Sequence, residues 1–148
     1  MTLSDDDIER IVSAVETMEA SLAVLAGKQS LSRKEFTTDR AARDIVERRF
    51  VKLTEAALDI ARTLVSQKRG AQPDSNPAVM VALGHMDVLD DATTEKMTQA
   101  ARFRNVLAHT YGNAIKHDDG YDALQELDRY RDFLFAVREY LDDSGVLE

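Results

Sequence analysis

Residues 38–67 read TDRAARDIVERRFVKLTEAALDIARTLVSQ, and this stretch carries the longest helical pattern of the chain. Apolar residues recur in it every three or four positions, which is the spacing of one face of an α-helix. The face expected to point inward comprises Ala42, Ile45, Val46, Leu53, Ala56, Ala57, Ile60 and Leu64. The other face is rich in basic residues, so the stretch predicts a long amphipathic helix against which other helices can pack.

Two serine-led signals predict helix starts in the first quarter of the chain. Ser4 with Asp7, and Ser32 with Glu35, each place a hydroxyl at the N-cap position and a carboxylate three residues later. The first signal predicts a helix that stops at Gly27, because glycine commonly follows the last residue of a helix. The second predicts a short turn of helix.

Three further helices are expected after the loop at residues 70–77, which contains both prolines. Asn76 as N-cap and Pro77 at the first helical position open a helix to about Leu89. The next helix follows Asp91 and ends at Tyr111, and the last spans residues 121–141. No segment shows the period-two alternation of a half-buried strand. The sequence therefore predicts an all-α, antiparallel bundle of four to five helices, in a single domain spanning residues 1–148.

Composition limits the function classes. The 148 residues are 44% hydrophobic and 31% charged, which is typical of a globular domain with a core. The absence of cysteine excludes disulfides and thiol chemistry and fits a reducing cytoplasm. The acidic amino terminus does not resemble a signal peptide, and no apolar run approaches the ~20 residues of a membrane span. We therefore expect a cytoplasmic protein without membrane contact.

The net charge of −8 argues against a general nucleic-acid-binding surface, because Lys and Arg dominate contacts with phosphate. A local basic groove remains compatible with that charge. Arg48, Arg49 and Lys52 on the long helix, together with Arg102, are the candidate RNA contacts. The alternative is a solvated basic face balanced by nearby acids such as Glu55.

Residues 103–111, FRNVLAHTY, concentrate the reactive side chains of the chain. At about 100° per residue, Arg104 and Tyr111 fall nearly in line, and Asn105 and His109 share a second polar edge. The residues expected to face the core are Phe103, Val106 and Leu107. Arg104 and His109 are about 140° apart, so one helix cannot easily bring both to one small group. If they act together, a second copy of the helix is expected to complete the site.

Ordinary structural roles compete with these assignments. A lone histidine on a helix is usually a surface or packing residue, and His85 is interpreted that way. Tyr111 suits the end of an amphipathic helix. His117 is followed by two aspartates, but further metal ligands at useful spacing are absent. None of the three histidines has a glutamate three residues before it, as a helical carboxylate–metal site would require. No metal and no cofactor are expected.

The pattern at Arg104, Asn105, His109 and Tyr111 resembles the HEPN ribonucleases, and among them the HepT toxins. Their motif is Arg-x-x-x-x-His-x-Tyr with Asn after the Arg, and this sequence does not depart from it. The resemblance continues through Ser32 to Phe36, Val46 to Ala61 and Val88-Leu89, and covers essentially the whole chain. The longer motif on an all-helical chain of this length is far more specific than Arg-x-x-x-x-His alone.

The resemblance implies a metal-independent endoribonuclease toxin of a type VII-like toxin–antitoxin system, active as a homodimer. His109 would be the general base or acid, Arg104 would stabilise the phosphorane, and Asn105 would orient His109 or donate to a phosphate oxygen. The substrate would be RNA, transfer RNA or message. The expected antitoxin is an MntA-type nucleotidyltransferase that transfers AMP from ATP to Tyr111. The alternative is a HEPN domain that serves as a non-catalytic partner of a nucleotidyltransferase.

Overall fold

The computed structural model describes residues 3–69, 72–109 and 117–145, without the side chains of Arg69, His109, His117 and Asp118. Within these ranges it contains seven helices and no strand. In chain order they are α1 (Asp5–Ala26), α2 (Arg33–Thr38), α3 (Arg40–Arg69), α4 (Asn76–His85), α5 (Asp91–His109), α6 (His117–Leu124) and α7 (Asp128–Asp143). Two of them, α2 and α6, are short, and the prediction of an all-α bundle is confirmed.

Both serine-led helix starts are confirmed. The Ser4 hydroxyl accepts from the Asp7 backbone N–H at 3.0 Å, and the Asp7 carboxylate accepts from the Ser4 N–H at 3.3 Å. Ser32 and Glu35 form the same pair at 3.1 and 2.9 Å at the start of α2. These bonds from Ser32 hold the pKa of Glu35 below its ordinary value. Each capping box satisfies backbone N–H groups that the first helical turn leaves without partners.

Helix α3 lies at the centre and packs against α1, α2, α4, α5 and α6. Its buried face includes Val46, Leu53 and Ile60, none of which is exposed. The ring of Phe50 meets Phe103 of α5 edge-on at 6.0 Å between centroids. The long amphipathic stretch is therefore the element that positions every neighbouring helix.

None of the described helices combines the length and apolar character that crossing a bilayer requires.

The sequence misplaced two helix boundaries. Helix α4 is capped by Ser75, whose hydroxyl accepts from the Ala78 N–H at 3.3 Å, and Asn76 is its first residue. The helix ends at His85 and does not reach Leu89, because the backbone turns at Asp87 with φ of 60°. The apolar residues after this turn remain buried, so their pattern looked helical.

The predicted last helix is two helices. Residues 117–120, which precede the predicted start of the last helix at residue 121, are helical and belong to α6, and a turn at residues 125–127 separates α6 from α7. Gln125 and Glu126 donate their backbone N–H groups to carbonyls three residues earlier, which is the bonding of a tight turn. Leu124 and Leu127 are both buried, so the apolar spacing continues through the break.

Candidate functional site

Arg104 is held against α3 by an acidic side chain. Its Nη2 atom lies 2.7 Å from Oε2 of Glu55, and the Arg104 side chain is only 15% exposed. That Glu55 oxygen has no aligned hydrogen bond among the described residues, so the contact is mainly a Coulombic ion pair. In partly buried surroundings such a pair is screened less than on the open surface. Glu55 therefore fixes where the guanidinium sits.

The rotation of α5 differs from the one predicted. Arg104 follows Met97, Ala100 and Ala101 by seven, four and three residues, and those three are buried. Arg104 therefore shares the core-facing side of α5, where Glu55 makes burial of its charge tolerable. Val106, predicted to face inward, is 43% exposed, so that prediction was wrong.

Ile45 is a second error of the same kind, at 42% exposure on α3. It sits at the edge of the apolar stripe, whose centre is fully buried. Phe103 and Leu107 do pack partly against the core, as predicted.

Asn105 joins Arg104 to helix α4. Its Oδ1 atom accepts from Nη1 of Arg104 at 3.3 Å and from Nδ2 of Asn76 at 3.0 Å. Oδ1 of Asn76 in turn accepts from Nη2 of Arg62 at 2.5 Å. The start of α4 is thereby tied to the motif helix. We call Glu55, Asp59, Arg62, Asn76, Arg104 and Asn105 the Arg104 network.

Asp59 completes the network on α3. Its carboxylate lies 3.5 Å from Nη1 of Arg62 and one helical turn from Glu55. Burial raises the pKa of Asp59, and repulsion from the Glu55 carboxylate raises it further. The positive charges of Arg62 and Arg10 partly oppose this rise. Glu55, Asp59 and Arg62 thus interact with each other on one face of α3. Glu55 also pairs with Arg104 of α5, and Arg62 bonds to Asn76 of α4.

Helix α5 is anchored at its start by Asp90. The Asp90 carboxylate accepts from the Thr93 backbone N–H at 2.7 Å. This bond, together with the Thr93 hydroxyl, holds the pKa of Asp90 below its ordinary value. A charged N-cap of this kind also opposes the positive end of the helix dipole. Asp90 thereby caps the helix that carries Arg104.

A groove of about 780 Å³ runs between α1 and α3 beside this network. Glu55 and Asp59 form part of one wall, with Lys52 next to them, and Glu9 and Arg10 lie on the α1 side. The lining carries charges of both signs. It brings the exposed Lys52, one of the predicted RNA contacts, to the same side of α3 as the partner of Arg104.

The other predicted residues are placed as follows. Arg48 and Arg102 are exposed and Arg49 is half-buried, and none of the three forms an ion pair among the described residues. The backbone of His109 closes α5, but its side chain lies outside the description. Tyr111 lies wholly outside the described residues. Arg104 and Asn105 are therefore the motif side chains whose contacts are known.

Most of the Arg104 network was not predicted from the sequence. Glu55 was noticed only as a balancing charge, and Asn76 only as a helix cap. One signal was available: Glu55, Asp59 and Arg62 recur at spacings of four and three, which puts them on one face of α3. That a guanidinium from another helix would meet this face follows from packing, which periodicity does not reveal.

Residues 5–137 match a protein family described as "Ribonuclease HepT-like". The chain belongs to this family. The match covers every helix that contributes to the Arg104 network. No curated protein sequence matches the chain.

Solved structures share the fold of this family member. A toxin–antitoxin complex crystallised with AMP-PNP has a chain with TM-score 0.80 and 17% identity, covering 88% of this chain and 98% of that one. The cytosolic protein YutE of Bacillus subtilis, described as of unknown function, has TM-score 0.83 and 17% identity, covering 100% and 98%. The tri-AMPylated HEPN toxin of Shewanella oneidensis, in complex with an MNT antitoxin, has TM-score 0.73 and 19% identity, covering 92% and 98%. At these identities the likeness establishes the helical architecture.

Proposed function

We propose that this HepT-like chain is an endoribonuclease toxin of a toxin–antitoxin pair, acting without a metal ion in the cytoplasm. Arg104 and His109 are its catalytic residues. The observation that carries the proposal is the fixed position of Arg104, which Glu55 and Asn105 hold on the motif helix of a chain from a ribonuclease family. A guanidinium fixed before the substrate arrives needs little reorganisation during the reaction.

The proposed reaction uses the nucleophile that RNA itself carries. His109 removes the proton of a 2′-OH, the oxygen attacks the adjacent phosphorus, and the bond to the 5′ oxygen breaks as that oxygen takes up a proton. The products are a 2′,3′-cyclic phosphate and a 5′-hydroxyl. Neutral imidazole, with an ordinary pKa near 6.5, is suited to this proton transfer at neutral pH. DNA lacks the 2′-OH and should remain intact.

Arg104 would stabilise the negative charge that grows on the phosphorane oxygens. A guanidinium has five N–H donors, and the contacts with Glu55 and Asn105 involve only Nη2 and Nη1. Because the phosphorane carries more negative charge than the ground-state phosphodiester, the attraction of Arg104 strengthens in the transition state. Asn105 would hold the guanidinium plane, or donate its amide N–H to a phosphate oxygen.

The active form would be a homodimer in which two copies of α5 face each other. Arg104 and His109 are about 140° apart around the helix, so residues of two copies are needed around one phosphate. Val106, one turn before His109 and 43% exposed, offers an apolar surface that such a dimer would cover.

The basic residues outside the motif would hold the RNA backbone. Arg48, Lys52 and Arg102 are exposed, and none forms an ion pair among the described residues. Arg49 is half-buried and would contribute less. Because the net charge is −8, phosphate binding would depend on local basic residues of this kind.

Control by a nucleotidyltransferase antitoxin is the second part of the proposal. Tyr111 would receive AMP from ATP on its phenolic oxygen, with release of pyrophosphate. An added phosphate and base near Arg104 would compete with RNA for the guanidinium, by the same logic as phosphorylation. Two structural neighbours are described as toxin–antitoxin complexes, and the toxin in one of them is tri-AMPylated.

The decisive experiment compares His109→Ala and Arg104→Ala with wild type, in growth on induced expression and in cleavage of end-labelled RNA. Both substitutions should abolish toxicity and cleavage. Wild type should cleave equally well in the presence and absence of EDTA, because no metal ion takes part in the proposed reaction. His85→Ala, at an exposed histidine of α4, is the matched control and should cleave normally. Intact cleavage by folded His109→Ala, or cleavage of the equivalent DNA, would exclude the mechanism.

The second candidate function is a non-catalytic partner of a nucleotidyltransferase. The net charge of −8 favours this alternative, and the pairing of the 15% exposed Arg104 with Glu55 also fits a structural arginine. The two functions differ in one result: a structural Arg104 predicts that expression without an antitoxin is harmless. Toxicity that disappears with His109→Ala supports the nuclease.

A further inference from the structure

An apolar groove of about 620 Å³ lies between α1 and α7. Its floor is formed by aliphatic side chains of both helices, among them Ile11, Val15 and Leu141. Two apolar residues at this groove are strongly exposed: Phe135 at 63% and Val12 at 48%. A phenylalanine this open beside an aliphatic groove costs solvation free energy unless another surface covers it.

Charges of both signs border the same groove. Glu16 and Glu19 lie on the α1 side and Arg138 on the α7 side, and all three are exposed. None of them forms an ion pair within the part of the chain that the structure describes. The face therefore combines a protruding ring, a groove that can receive one, and unpaired acids opposite an unpaired base.

This face is separate from the Arg104 network. On α1, the buried stripe separates two sets of residues when they are placed at about 100° per residue. One set lines the groove beside Glu55, and the other lines the α1–α7 groove. The residues of α7 at the second groove include Phe135 and Arg138, and no residue of α3 or α5 lines it. Occupation of one groove leaves the other open.

We propose that the α1–α7 face is a self-association surface, in which a second copy of this chain packs with Phe135 of each protomer in the groove of the other. A two-fold pair needs a self-complementary patch, and this face carries both the ring and the groove. The same two-fold arrangement brings Arg138 of one protomer towards Glu16 and Glu19 of its partner. A foreign partner would have to supply both features, whereas a second copy supplies them at once.

The interface is independent of the proposed nuclease dimer. If the copies also pair through α5, and the two two-fold axes intersect at right angles, the two interfaces together make a closed tetramer. If the copies do not pair through α5, the α1–α7 interface alone makes a dimer. In either case, removal of the α1–α7 interface halves the mass of the assembly. The charge of −8 per copy opposes association at long range, so measurements belong at physiological ionic strength, where the screening length is about 8 Å.

The test is the mass of the purified full chain by light scattering and sedimentation equilibrium. Phe135→Glu should halve it, because a buried carboxylate without a partner is strongly unfavourable. The side chain is mostly exposed, so the protomer should stay folded, as circular dichroism would verify. Val81→Glu, at a 37% exposed valine of α4, is the matched control and should keep the wild-type mass.

A charge exchange tests the arrangement itself. Arg138→Glu should weaken self-association at least tenfold, and adding Glu16→Arg with Glu19→Arg should restore it. Equal masses for wild type and Phe135→Glu would overturn the proposal, as would equal losses for Phe135→Glu and Val81→Glu. The proposal would also be overturned if the purified chain is monomeric and Phe135 is needed only for binding a different protein.

Discussion

Glu55→Gln removes the carboxylate that faces Arg104 and leaves a largely buried guanidinium without a charged partner. The two side chains are 41% and 15% exposed, and their charged atoms are 2.7 Å apart. Breaking a fully buried pair costs about 3–5 kcal/mol, and breaking an exposed pair costs about 0–1 kcal/mol. The exposures place this pair between those limits, and glutamine can still accept one hydrogen bond. We expect the free energy of unfolding to fall by about 1–2 kcal/mol, a loss of roughly 3–8 °C in Tm.

A double-mutant cycle isolates the pair from other effects of the substitutions. Glu55→Gln, Arg104→Met and the double variant would be unfolded in urea at pH 7 and followed by circular dichroism. We expect a coupling energy of about 1–2 kcal/mol, since each single change leaves a charge behind and the double change does not.

The ion pair between Asp128 and Arg131 is the matched control. Its atoms are 2.8 Å apart, almost the same distance, but its side chains are 90% and 48% exposed. The cycle of Asp128→Asn and Arg131→Met should give at most about 0.5 kcal/mol, as exposed helical pairs do. If both cycles give the same coupling energy within about 0.3 kcal/mol, burial does not set the strength of the Arg104 contact and the reasoning fails.

Three further predictions concern the scaffold. Gly84→Ala should destabilise the fold by about 1–3 kcal/mol, because a Cβ there would lie 2.6 Å from Oγ1 and 2.8 Å from Cγ2 of Thr94. Adding Thr94→Ala to Gly84→Ala should recover most of the lost Tm. Tyr130→Phe should lower the free energy of unfolding by about 1–2 kcal/mol, because the buried Tyr130 hydroxyl lies 2.8 Å from that of Thr54. In urea unfolding, the double variant with Thr54→Val should lose less stability than the two single variants together. Asp90 should add stability at neutral pH that is lost as pH falls below its ordinary pKa of 3.8, since its folded pKa is lower. The urea midpoint of wild type should exceed that of Asp90→Asn at neutral pH, and this difference should shrink in that acidic range; a constant difference would contradict the charged cap.

Local signals in the sequence predicted much of the scaffold. Ser4 and Ser32 marked helix starts because a capping box depends on side chains only three residues apart. The apolar stripe of residues 38–67 predicted the central helix because burial on one side imposes its period. The turn at residues 125–127 was missed because buried leucines on both sides of it preserved the helical spacing.

The orientation of the motif helix was harder to predict. In residues 103–111 alone, the apolar side chains occupy one arc, and that arc was expected to be the buried one. The buried residues Met97, Ala100 and Ala101 set the rotation instead, and two of them are too small to dominate a hydrophobic pattern. Arg104 can occupy the core side only because Glu55, forty-nine positions earlier, meets it there. A partner on another helix leaves no periodic trace in the sequence.

The inward position of Arg104 changes what a dimeric site requires. Arg104 is 15% exposed and held by α3 and α4 through Glu55, Asn105 and Asn76. By helical spacing alone, Arg104 and His109 of one copy are about 140° apart, so the proposed site needs residues of two copies. In the proposed homodimer, pairing across α5 with Val106 covered would bring the histidine of one copy towards the guanidinium of the other. We then expect Val106→Glu to abolish cleavage while leaving the Glu55–Arg104 coupling energy unchanged.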